Sequence, residues 1–209
     1  MKEKQIRKWI VGWIVLFGVV MLVSMVTAVW AAMKQIAGGS IEDMQHTLQF
    51  INACTGILLP LCLVGLGWVL YSSANTKLAR WGGGTLAVSG LVQVLNQCVA
   101  IYLLAASIEK MALWATVVFA LAGTITACAA ILIIARNYTN EKMYNWALAF
   151  CVGQIGVAIS TVWMNANPDS KIMALNLGLC SMIVTVSQIV YMLQWYKHLK
   201  ATPKEPVEA

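Results

Sequence analysis

Uncharged stretches of membrane-crossing length alternate with short clusters of charge along the whole chain. A helix needs about 20 apolar residues to cross a bilayer. Six stretches meet that length and predict helices over 9–33, 50–72, 83–107, 111–135, 143–165 and 172–196. The expected fold is an all-α six-helix transmembrane bundle covering 9–196. A basic segment, 1–8, precedes it and a basic tail, 197–209, follows. Pro60 lies in the middle of the second stretch and predicts a kink there. Gly82, Gly83 and Gly84 predict a loosened start to the third helix. The longest connection, from Lys34 to His46, is a candidate external lid or an ordinary connector.

Small residues repeat at four-residue spacing in the later helices. Ala122, Thr126 and Ala130 do so in the fourth, beside Gly123 and Ala127. Ala149 with Gly153, and Gly156 with Ser160, do so in the fifth. In lipid such spacing lets helix backbones approach closely. The sixth helix carries Ala174, Gly178, Ser181, Thr185 and Gln188 along one stripe. Asn75–Trp81 echoes Asn140–Trp146 in its Asn, Lys and Trp positions. The echo fits a repeated hairpin or two turns obeying the same interface chemistry.

Composition supports the membrane reading, since 60% of the 209 residues are hydrophobic and only 11% are charged. Charge then fixes the expected orientation, which follows Lys and Arg alone. With the N-terminus inside, the inner segments hold Lys2, Lys4, Arg7, Lys8, Lys77, Arg80, Arg136, Lys142, Lys197, Lys200 and Lys204. The outer segments hold Lys34, Lys110 and Lys171, so eleven of the 14 basic residues are inside. Both termini are expected in the cytoplasm and the protein in the cytoplasmic (inner) membrane. Most tryptophans fall near span ends, where indoles favour the headgroup region. The net charge of +6 is therefore a matter of orientation, and nucleic acid is not an expected partner.

The candidate chemistry is neutral. No Asp, Glu, Lys, Arg or His lies deep in a span, which argues against proton-relay and voltage-sensing roles. The two histidines, His46 and His198, have no partner at metal-ligand spacing. The six cysteines have no paired motif. No catalytic residue, metal or cofactor is assigned, and an enzyme is not expected. What remains is amide side chains at membrane depth. Ser89, Gln93, Asn96 and Gln97 form one stripe on the third helix. Gln93 lies about 18 Å beyond Trp81, and Gln154 about 12 Å beyond Trp146, at 1.5 Å per residue. Gln93, Asn96, Gln97, Gln154 and Gln188 are therefore the candidate solute-binding residues. The same amides also suit interhelical hydrogen bonding, worth on average about 0.6 kcal/mol each. Two functions follow. One is a small-solute transporter, or the membrane subunit of an uptake system, for a neutral or zwitterionic solute. The other is a non-transporting assembly, immunity or sensory subunit that meets a membrane partner, or a second copy of itself, through small-residue faces. A solvent-reachable pocket near Gln93 and Gln154 favours the first. A filled core with a small-residue groove on the outside favours the second.

Overall fold

The computed structural model describes residues 2–36, 47, 50–51, 54–106, 110–167 and 170–201. Six long helices carry the described chain: α1 (Lys2–Ile36), α2 (Leu58–Ser73), α3 (Lys77–Ala106), α4 (Lys110–Asn137), α5 (Glu141–Ala166) and α6 (Lys171–Ala201). No strand occurs among the described residues. Six helical segments are long and apolar enough to cross a membrane, so the chain is a multi-pass membrane protein. The connection from 37 to 46, Asn52 and the tail 202–209 lie outside the described residues.

Each helix packs on its neighbours in sequence, and α1 closes the ring against α6. The antiparallel order of α2 to α6 follows from the short turns, because three or four residues cannot carry the chain back across a membrane. The start of α1, the α2–α3 turn, the α4–α5 turn and the close of α6 gather at one end. There Thr76 Oγ1 donates to Asn137 Oδ1 at 2.8 Å, and the rings of Tyr138 and His198 stand 5.5 Å apart. This end carries most of the Lys and Arg and is called the basic end below.

The helices run past the uncharged stretches at this end. Helix α1 already includes Lys2, and α6 continues through Lys197 to Ala201. Ile6 and Leu199, outside the expected spans, are buried in the core. Packing is concentrated in the same half, around Ile10, Trp13, Leu66, Ala130, Met143 and Trp195. In the opposite half α1 exposes Leu22, Met25 and Val26, and α6 exposes Ile172 and Leu175. Trp195 ends the sixth uncharged stretch, where the tryptophan pattern predicts a position at the headgroup level. It is instead fully buried, because α6 extends far enough for its last turns to pack inward. Trp68, Trp81 and Trp163 do face outward.

Two local expectations change. The three glycines lie inside α3, which starts at Lys77, and they do not loosen it. Gly83 and Gly67 bring α3 and α2 into backbone contact. A Cβ on Gly83 would stand 2.5 Å from Tyr71 N and 2.8 Å from Gly67 O, and one on Gly67 would collide with Ala87 N. In the second span only the hydrogen-bond ladder is interrupted, at Ile57, whose backbone stays helical (φ −72°, ψ −31°) between residues 54–56 and α2. Pro60 has no N–H to bond Gly56 O, and its ring crowds that carbonyl, so the ladder breaks on the N-terminal side of the proline.

The echoed turns use different caps. Asn140 Oδ1 accepts from Met143 N at 3.2 Å to start α5. At α3, Thr76 Oγ1 accepts from Ala79 N at 3.1 Å. The likeness is that of two capped turns in contact with one another.

Candidate functional site

The ring of helices leaves a small, partly open cavity of about 70 Å³, lined by side chains from α2, α3, α4, α5 and α6. Three of the five candidate amides reach it: Gln93 from α3, Gln154 from α5 and Gln188 from α6. They are far apart in sequence and converge because each sits on the inward stripe of its helix. The remaining wall includes Ser89, Ile131, Phe150, Tyr191 and Trp195, and no charged side chain lines the cavity.

Ser89, Gln93, Gln154 and Tyr191 are tied to the scaffold by hydrogen bonds, whereas Gln188 makes none among the described residues. Gln93 Nε2 donates to Ser89 Oγ at 3.1 Å, and Ser89 Oγ, fully buried, reaches Gly123 O of α4 at 3.4 Å. Gly123 also provides the room for this arrangement, since a Cβ there would stand 3.3 Å from Gln93 Cγ. Thr124 Oγ1 donates to Gln154 Oε1 at 3.4 Å. The Tyr191 hydroxyl crosses the centre to donate to Ile131 O at 3.2 Å. The bonds described leave Gln93 Oε1 and Gln154 Nε2 without a protein partner. An amide offers two donors and two acceptor lone pairs, so these three side chains hold hydrogen-bonding capacity in reserve around the cavity.

The other two candidates lie elsewhere. Gln97 packs against Gly56, whose Cβ would stand 3.1 Å from Gln97 Cδ. Asn96 Oδ1 is buried without a hydrogen-bond partner, and Asn96 does not line the cavity. The stripe is longer than the cavity, so only its first two members, Ser89 and Gln93, share it. Tyr191 and Trp195 are wall residues that the sequence reading passed over. They stand three and seven residues after Gln188, so the inward face of α6 was present as an i, i+3, i+7 series.

The floor at the basic end is aromatic. Trp195 lies 6.1 Å from Tyr191 and 5.8 Å from Tyr138, ring centre to ring centre. The Trp195 indole N–H makes no close hydrogen bond. Its influence still reaches the Tyr138 hydroxyl. Burial pushes that phenol up from its ordinary value, the Trp195 N–H opposes the rise, and Glu3 adds to it. Tyr138 therefore stays neutral at physiological pH.

The volume decides what can occupy the site. One water needs roughly 10–15 Å³ of such space, so the cavity has room for a few waters. Ligand pockets for larger molecules run to about 300–1,000 Å³. This conformation can hold only a very small neutral molecule, and anything larger requires the helices to separate. Among the described residues no three His, Cys, Asp or Glu side chains gather as a metal cage requires. Comparison with protein-family models, with curated proteins and with solved structures gives no match.

Proposed function

We propose that the chain is a small-solute transporter, or the membrane subunit of one, in a cytoplasmic-type membrane with both termini inside. The observation that carries this reading is the meeting of Gln93, Gln154 and Gln188 around one small, partly open and uncharged cavity. Amides used only to join helices would spend their donors and acceptors on one another. No hydrogen bond joins any two of these three among the described residues. The solute class is small, neutral or zwitterionic, and recognised by hydrogen bonds at both donor and acceptor edges. The orientation rests on the Lys and Arg of the basic end, which favour the cytoplasmic side.

The test is a thermal-shift panel of small amides, alcohols and amino acids on the purified protein. At least one should raise the melting temperature of the wild type and leave that of Gln93→Leu and Gln188→Leu unmoved. A panel with no stabilising member, or equal shifts in the variants, contradicts the reading.

A second reading has its own observation. Ala174, Gly178 and Ser181 are exposed on α6, and a Cβ on Gly178 would meet nothing within 4 Å. A small-residue face open to lipid suits close docking of another helix, as in a non-transporting partner subunit. That reading gains if Gly178→Leu abolishes the biological phenotype while Gln93→Leu does not.

A further inference from the structure

We propose that the groove between α2 and α3 at the basic end is a binding site for an anionic phospholipid. The phosphate sits between Lys77 and Arg80, and an acyl chain runs along Gly84 and Val88. The groove measures about 710 Å³ and is lined by Lys77, Arg80, Trp81, Tyr71, Gly84 and Val88. It exists because Gly83 pulls α3 against α2 while Gly84, one residue on, adds no side chain to fill the surface. A Cβ at Gly84 would touch only the Tyr71 ring, at 3.5 Å.

Charge selects the occupant. No Asp or Glu occurs anywhere between Asp43 and Glu109, so α2 and α3 supply these two cations with no acid. Helix α4, the other neighbour of α3, contains no Asp or Glu either. No acid on these three helices neutralises the pair, and the only described acids at this end are Glu3 of α1 and Glu141 of α5. Basic pockets between transmembrane helices recognise lipid headgroups in this way. The aromatic surroundings fix the depth. Trp81 is 72% exposed, and Trp68 stacks on Tyr71 with ring centres 6.2 Å apart. Such rings mark the headgroup level. From there Val88, 49% exposed, leads the groove into the apolar span. A free phosphate compound would use the cations and have no use for this apolar continuation. The groove between α1 and α2 has the same volume but only Lys8 at its lining, so it lacks the paired charge.

Native mass spectrometry of the full chain tests the proposal, with dioleoylphosphatidylglycerol and dioleoylphosphatidylcholine titrated into detergent micelles. The wild type should hold one phosphatidylglycerol more tightly than any phosphatidylcholine. Lys77→Gln with Arg80→Gln should weaken that lipid by roughly tenfold or more and erase the preference. Val88→Trp keeps both cations but fills the groove, and should weaken the same lipid without any change of charge. Arg136→Gln with Lys142→Gln removes equal charge from the neighbouring turn and should leave the tight lipid in place. Four outcomes overturn the proposal. They are equal binding of the two lipids by the wild type, undiminished binding in either groove variant, equal loss in the neighbouring-turn variant, and displacement by millimolar glycerol phosphate. The last would assign the site to a soluble phosphate.

Discussion

Asn96 lies seven residues beyond Ser89 and therefore about 10 Å further along α3 on nearly the same side. That spacing placed both in one stripe, yet their surroundings differ. Ser89 is bonded across to α4, whereas Asn96 Oδ1 is buried with no partner. A buried unsatisfied acceptor costs about 1–3 kcal/mol, and an apolar group of similar shape removes the cost. Asn96→Leu should therefore leave the melting temperature in detergent unchanged or raise it. Gln93→Leu removes the bond to Ser89, worth about 1 kcal/mol, and should cost no more than a few degrees. A larger loss for Asn96→Leu than for Gln93→Leu would mean that Asn96 has a structural partner. The angular position of each amide was legible in the sequence because it follows from 3.6 residues per turn. The length of the cavity was not, since Tyr191 and Trp195 of another helix set it.

At the scale of the helix, the small-residue series in α4 and α5 was legible and its partners were not. Gly123 faces Gln93 of α3, and a Cβ on Gly153 would stand 2.9 Å from Val184 of α6. The backbone contact between Gly67 and Gly83 escaped the sequence reading. A periodic pattern marks which side of a helix is thin, but backbone contact needs a second thin place at matching height on the neighbour. Forcing bulk into a filled interface costs roughly 1–3 kcal/mol or more. Gly153→Leu should thus lower the melting temperature clearly, while Gly178→Leu, with open space around it, should leave it within a degree. Equal effects would show that the α5–α6 interface is not tightly packed. Pro60 gives the same lesson. Its presence predicts a kink, and its missing N–H interrupts the hydrogen-bond ladder on its N-terminal side while Ile57 keeps helical dihedrals.

At the scale of the molecule, helix number and order follow from run length and short turns, because lipid leaves a helix no other way to satisfy its backbone. The one-sided core did not follow. Ile6 and Leu199 lie outside the uncharged runs, yet they pack with Trp195 and Tyr191, so the helices hold together most firmly at the basic end. The opposite ends of α1 and α6 expose Leu22, Met25, Ile172 and Leu175. The orientation is checked by a reporter fused after Ala209, which should be active only on the cytoplasmic side. Activity on the external face would invert the molecule.

The central claim is that the amide cavity is a passage site, and solute permeation into proteoliposomes tests it most directly. Vesicles carrying the wild type should take up at least one small neutral or zwitterionic solute faster than protein-free vesicles. Vesicles with equal amounts of folded Gln93→Leu, Gln154→Leu double variant should lose that gain by tenfold or more. Equal uptake by wild type and double variant, or no uptake above protein-free vesicles for any solute tried, would contradict the account.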